Sequence, residues 1–198
     1  LNIKRIFLDL DDVLNDFTLS TLRSFGQMDS YDPAWGWDIV AACNAAHPLR
    51  KMSPEVFWGS LDRKFWASRP KSGMCDWLIE ESVRIVGADN VFVLTAPTRH
   101  PDCVAGKMEW VHENLPDFLH RQCLYGSHKY VCAQPASLLI DDCDANVDDF
   151  ILYGGQACLV PRPWNTQCAA SDSAGRRVSR ALTKFRIWQP EEEVVSAE

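Results

Sequence analysis

The stretch Ile6-Phe7-Leu8-Asp9-Leu10-Asp11-Asp12-Val13-Leu14 constrains this chain more than any other. An apolar run of the kind that fills a buried strand ends abruptly in three carboxylates. An unpaired charge is costly to bury, so acids at such a strand end need a partner, and a metal ion is the usual one. Two apart along a strand, Asp9 and Asp11 are expected on one face. A second copy lies far downstream, Leu138-Leu139-Ile140-Asp141-Asp142. Two buried strands ending in paired acids imply one acidic, metal-holding site at the carboxyl edge of a parallel sheet.

Strand patterns over 4–10, 91–95, 122–125, 137–140 and 157–160 alternate with helical patterns over 16–25, 74–86, 101–114 and 146–152. That rhythm predicts an α/β fold with a mostly parallel sheet. Ligands in such sheets bind beyond the carboxyl ends of the strands, where both acidic motifs and Thr95 fall. Residues 27–72 break the rhythm. They carry Tyr31, Trp35, Trp37, Phe57, Trp58, Phe65 and Trp66 with helical pieces and no clear strand. We expect a small, mainly helical cap insertion over the sheet edge, with 1–26 and 73–198 as the core domain. From Asp172 a basic helical stretch (Arg176, Arg177, Arg180, Lys184, Arg186) reads as a solvated helix face, and an acidic tail follows.

The 198 residues suffice for one domain with a real core plus an insertion. A net charge of −7 argues against a general affinity for nucleic acid polymers or anionic membranes. No apolar run approaches the roughly 20 residues that span a bilayer. The chain enters a strand almost at once, so no signal peptide is expected. Its eight cysteines form no C-x-x-C pair, a poor spacing for zinc. They are expected to be reduced thiols of a cytoplasmic protein. Cys143 sits within the second acidic motif, but no base adjoins it to make a nucleophile.

The strand-end D-x-D, the strand ending in Thr95, an isolated lysine and the strand-end D-D follow the order of the haloacid dehalogenase (HAD) superfamily of phosphohydrolases, which this chain resembles. Each part has a physical task. Asp9 would attack phosphorus and form a phosphoaspartyl intermediate. Asp11 would protonate the leaving oxygen and then activate water. Mg²⁺ suits an all-oxygen site, and it screens the repulsion between two anions. Thr95 and Lys129 would hold phosphoryl oxygens. Lys107 also follows Thr95 and competes with Lys129 for that role. His128 reads as a neighbour, since phosphoaspartyl chemistry needs no histidine.

A narrower resemblance rests on Val91-Phe-Val-Leu-Thr-Ala-Pro, on Cys103-Val-Ala-Gly-Lys107-Met-Glu-Trp110-Val111, on Leu138-Leu-Ile-Asp-Asp-Cys-Asp144 and, in part, on Asp12-Val-Leu-Asn-Asp-Phe17. These are similar to segments of the 5′(3′)-deoxyribonucleotidase family of nucleoside monophosphatases, over about residues 4–164 and loosely across 27–56. The resemblance implies a three-layer sandwich and Mg²⁺ held by Asp9, the Asp11 backbone carbonyl and Asp142, with Asp141 outside. It implies that Phe17 packs on the nucleobase, with Trp66 opposite. Lys107 would face the nucleoside, and Phe65 and Trp66 would close the pocket; Trp58 is a weaker match. The aromatic cluster also reads as plain core, and Lys107 as a solvated helix residue. Asp12 stands where the superfamily usually has Gly, Ala96 where the family has Ser, and Ser127 near a family Arg.

The expected substrate is thus a small phosphate ester, foremost a nucleoside monophosphate. A sugar phosphate is the alternative, and a non-catalytic phosphate-binding relative stands further off. Dehalogenation needs neither Mg²⁺ nor the second acid, so Asp11 and Asp142 speak against it. A homodimer is compatible with the sequence.

Overall fold

The computed structural model describes residues 3–26, 31–46, 51–168 and 174–186. Parts of the expected insertion (27–30 and 47–50) and the acidic tail lie outside them. Five strands form the sheet among the described residues: β1 (Arg5–Leu8), β2 (Val91–Thr95), β3 (Cys123–Tyr125), β4 (Ser137–Asp141) and β5 (Gln156–Leu159). Their order is β3-β2-β1-β4-β5, and all four pairings are parallel. The fold is therefore α/β, as the alternation of patterns predicts.

Period-two alternation sorts the strand residues onto two faces. Ile6, Leu8, Val91, Val93, Leu138 and Ile140 join a core built with α5 (Cys75–Val86), α6 (Pro101–Asn114) and α8 (Ala174–Arg186). Phe7, Leu94 and Leu139 pack on the other side against Phe150 of α7 (Asp144–Leu152). Helices thus cover both faces. Helix α5 shows why it forms: Leu78, Ile79, Ser82 and Ile85 are buried on one stripe, and the chain leaves the helix at Gly87, whose φ of 78° suits glycine. The basic α8 is not wholly solvated, because Val178 and Leu182 are buried in the core.

Helix α1 (Phe17–Ser24) leads into three short helices, α2 (Ile39–Ala46), α3 (Pro54–Gly59) and α4 (Arg63–Ala67). Ser53 and Asp62 cap α3 and α4, their side chains accepting from the Val56 and Phe65 amides. These helices share a separate apolar cluster, with Tyr31, Ile39, Phe57, Leu61 and Trp66 meeting Phe17, Leu22, Cys103 and Trp164. Helix α4 lies against α6 at Gly106, where a Cβ would fall on the Arg63 carbonyl and 2.5 Å from Trp66 Cβ.

Two boundaries differ from expectation by more than one residue. The first strand stops at Leu8 instead of 10, because the Leu10 carbonyl accepts from the Leu14 and Asn15 amides and turns the chain. Helix α7 begins at Asp144 instead of 146, which places an acid in its first turn, where the helix dipole favours one. No helix of the described residues is long and apolar enough to cross a membrane.

Candidate active site

The strand order reverses beside β1: the chain proceeds outward through β2 and β3, then returns to β4 on the other flank. A crevice opens at such a point beyond the strand ends. Leu8 pairs with Ile140, and the Asp9 amide donates to the Ile140 carbonyl at 2.9 Å. The register therefore sets Asp9 beside Asp141 and Asp142. One carboxylate oxygen from each of these three buried acids lies within 4.8 Å of the others.

Lys129 sits among them, almost fully buried. Its Nζ is 2.6 Å from Asp9 Oδ1 and 2.7 Å from Asp141 Oδ2. Burial works against its charge, but Asp141 and Asp9 outweigh that and raise its pKa. Burial pushes Asp9 up to about 7, opposed by Lys129 and assisted by Asp141 and Asp11. Asp142 is also raised, first by burial and then by Asp12, Asp141 and Asp9. The acids thus outnumber the one ammonium among them, so a divalent cation would relieve the cluster.

The donor chemistry fits a hard cation such as Mg²⁺, which takes carboxylate oxygens and retains waters. The three acids are not equivalent. Asp141 accepts from Lys129 Nζ, from the Cys143 amide and, at both oxygens, from Asn146 Nδ2. Asp142 accepts Trp164 Nε1 at Oδ2, 2.7 Å, which leaves its second oxygen for a cation.

Asp11 reaches the same cavity from a turn, not from a strand face, since β1 has already ended. Its Oδ2 lies 2.6 Å from Lys107 Nζ, and its Oδ1 accepts from Asn15 Nδ2 at 3.1 Å. Lys107 also donates to Thr95 Oγ1 (2.9 Å) and to the Ala96 carbonyl (2.8 Å). It is 1% exposed, which removes the solvated reading. Both lysines therefore enter the site. Thr95 is fully buried and is not among the residues that line the cavity; Ala96, Pro97 and Thr98 after it are.

Asp12 has φ 59°, the only positive φ outside glycine among the described residues. Its carboxylate accepts from the Thr18 amide (2.9 Å) and hydroxyl (2.5 Å), and Arg162 Nε donates to its carbonyl at 2.8 Å. Such bonds hold a backbone conformation that an L-residue otherwise avoids. Arg162, Trp164 and Asn165 follow β5 and meet both acidic loops. Sequence reasoning missed them, since a lone Arg, Trp and Asn in a loop carry no motif.

The cavity measures about 520 Å³ and is lined by Asp9, Asp11, Lys107, Lys129 and Asp142 at its polar end. Phe17, Tyr31, Trp37, Trp58, Trp66 and Trp164 contribute aromatic walls. The expected slot between Phe17 and Trp66 is closed. Their rings stack on each other, with centroids 5.2 Å apart and planes 4° apart. A base between them would need about 7 Å, twice a carbon–carbon contact. Trp66 is buried, with Nε1 donating to the Leu61 carbonyl. Phe65 does not line the cavity, because its ring carries the Arg69 guanidinium at 3.6 Å. Trp58, the weaker sequence match, does line it, parallel to Phe17 within 5° at 6.4 Å. His128 lies tilted against Tyr130, ring centroids 5.5 Å apart, and does not line the cavity. Cys143 lines the cavity, but burial pushes its thiol up to about 11, too high for a nucleophile at neutral pH.

The fold is similar to that of solved HAD-family hydrolases. A HAD family hydrolase from Deinococcus radiodurans R1, solved with bound phosphate and sodium, aligns with a TM-score of 0.59 and 15% identity, covering 96% of this chain and 99% of that one. The HAD-hydrolase YfnB from Bacillus subtilis, bound to magnesium, gives 0.52 at 10% identity over 81% and 87%. L-2-haloacid dehalogenase from Xanthobacter autotrophicus gives 0.50 at 12% over 99% and 92%. No protein-family model and no curated protein matches the sequence. At such identities the likeness establishes the fold. Because these neighbours span more than one chemistry, the reaction must be argued from the side chains.

Proposed function

We propose that this chain is a Mg²⁺-dependent phosphatase of small phosphate monoesters, with residues 27–72 as a cap over the site. The observation that carries this reading is Asp9, seated between Lys129 and Asp142 at adjoining strand ends, with Asp11 in the same cavity. The phosphate held by the Deinococcus protein and the magnesium held by YfnB support it on a shared fold.

Asp9, Asp142 and the Asp11 backbone carbonyl would hold Mg²⁺, with Asp141 anchoring Lys129. When bound, the ion would offset the phosphate charge and draw electron density from phosphorus. Asp9 attacks phosphorus with the oxygen that Lys129 does not hold, and the ester P–O bond breaks. Protonated Asp11 gives its proton to the departing alkoxide, leaving an aspartyl phosphate and a free alcohol. Asp11, now a carboxylate, takes a proton from water, whose oxygen attacks the same phosphorus. The acyl phosphate P–O bond breaks, which returns the Asp9 carboxylate and releases phosphate. Lys129 and Lys107 neutralise the equatorial oxygens, where transition-state charge is spread. Thr95 orients Lys107 through its hydroxyl instead of meeting the phosphate itself.

For the substrate we infer a nucleoside monophosphate, supported by the family resemblance and by the aromatic walls beside the acids. The closed Phe17–Trp66 stack favours a second reading, a phosphate ester without a large planar group. The deciding experiment is phosphate release from ribo- and deoxyribonucleotides, sugar phosphates and p-nitrophenyl phosphate, with Mg²⁺ and with EDTA. Mg²⁺-dependent turnover led by nucleotides is the expected result. Turnover led by sugar phosphates would move the substrate assignment, and full activity in EDTA would sink the metal assignment. Asp9→Asn should fall to background on every substrate while remaining folded, and retention of more than a few per cent would refute the covalent route.

A further inference from the structure

We propose that Trp164 is a positioning residue that aims Asp142 at the cation, and that Arg162 and Asn165 hold it in place. The inference rests on reading Asp9 and Asp142 as cation ligands, and it concerns a segment to which that reading gives no role. After β5 the chain crosses the crevice. The Val160 amide donates to the Asp141 carbonyl at 2.8 Å. The turn then closes on itself through the Arg162 amide and Asn165 Oδ1. From this turn three side chains reach outward. Arg162 donates to the Asp12 carbonyl in the loop after β1. Asn165 Nδ2 donates to the Asp142 and Val160 carbonyls, at 2.9 and 2.8 Å. Trp164 Nε1 donates to Asp142 Oδ2 at 2.7 Å. One short segment thus grips both acidic loops, and Asp142 is held at its backbone and at its carboxylate.

The chemistry follows from that grip. A carboxylate turns freely about two bonds, and an indole N–H on one oxygen fixes the plane and aims the other. Outer-shell donors of this kind are worth about 10- to 100-fold in metal affinity. Trp164 is itself locked: it is 9% exposed, and its ring meets Tyr31 edge-on at 5.1 Å. Its ring also lines the cavity. The same side chain therefore touches the metal ligand with its N–H and the substrate space with its ring.

The test is Mg²⁺ binding to the full chain by calorimetry, without substrate, on wild type, Trp164→Phe and Trp164→His. Phe keeps an aromatic ring and removes the N–H. His places a ring N–H at the same position along the side chain as indole Nε1. The expected result is a Kd at least tenfold weaker in Trp164→Phe, with Trp164→His intermediate. A Trp164→Phe Kd equal to wild type overturns the proposal. Equal weakening in Phe and His also overturns it, because ring packing and not the N–H would then be at work. No Mg²⁺ binding by wild type would overturn both the proposal and the metal reading, whereas binding that ignores the substitutions overturns the proposal alone. If Trp164→Phe fails to fold, Asn165→Ala removes the carbonyl grip and should weaken Mg²⁺ binding in the same direction; an unchanged Kd there refutes the proposal.

Discussion

Asp12 is a residue whose cost can be measured. Its positive φ is tolerated because four groups hold it: the Thr18 amide and hydroxyl, Arg162, and Asn15, whose Oδ1 accepts from the Asp12 amide. Asp12→Ala keeps the strained backbone and loses the side-chain acceptor. It should destabilise by about 1–3 kcal/mol in urea titration. Asp12→Gly loses the same acceptor but relieves the backbone, so it should be the milder change. The reverse ranking would mean that the conformation carries little strain. Burial marks out another set of residues. It pushes the thiols of Cys43, Cys123, Cys143 and Cys158 up to about 11, and that of Cys75 up to about 12. At pH 8 about a thousandth or less of each is thiolate, whereas Cys168 is exposed. Brief iodoacetamide treatment of native protein should label Cys168 first, and denaturation should open all eight. Rapid labelling of Cys143, read by peptide mass spectrometry, would contradict its placement.

The crossing of α4 on α6 gives the clearest prediction for an element. Gly106→Ala would gain about 0.5–1 kcal/mol of helix propensity at an ordinary helical site. Here the added carbon meets the Arg63 carbonyl and Trp66, so α4 must move. Net destabilisation of about 1–3 kcal/mol is expected. Because Trp66 stacks on Phe17 in the cavity wall, KM should rise with it; an unchanged Tm and KM would show that α4 yields freely. The same elements show what could be read in advance. The strands were legible because each is a short apolar run bounded by turn residues, and the sheet's acidic end was legible because Asp9 and the pair Asp141-Asp142 terminate two of those runs. The closed Phe17–Trp66 stack was not. Sequence spacing says which aromatics share a helix, but not whether two rings from α1 and α4 meet or leave a gap. The direction of Lys107 was hidden for a similar reason. Which way a helix lysine turns depends on where α6 docks, and here Lys107 reaches inward onto Thr95 and Asp11.

At the scale of the whole molecule, the acids, the lysines, Thr95 and the segment 160–165 draw on β1, β2, β4 and β5, the turn at Lys129 and helix α6, so binding at the site should be felt throughout. Mg²⁺ at 100 times its Kd should stabilise the fold by about 2.7 kcal/mol if it binds only the native state. A thermal melt that ignores Mg²⁺ would place the ion elsewhere or nowhere. The central position of β1 has a further consequence, in time instead of space. Ile6 pairs with Val91 on one flank and with Leu138 on the other. During synthesis the strand that seats Asp9 emerges before both of its neighbours. Pairing across such separations is slow, and an unpaired central strand exposes two adhesive edges. A fragment ending at residue 136 lacks β4, and we expect it to be protease-sensitive and prone to aggregate. Truncated or stalled chains would then carry Asp9 without the acids opposite it, so the acidic cluster could form only after β4 has closed against β1.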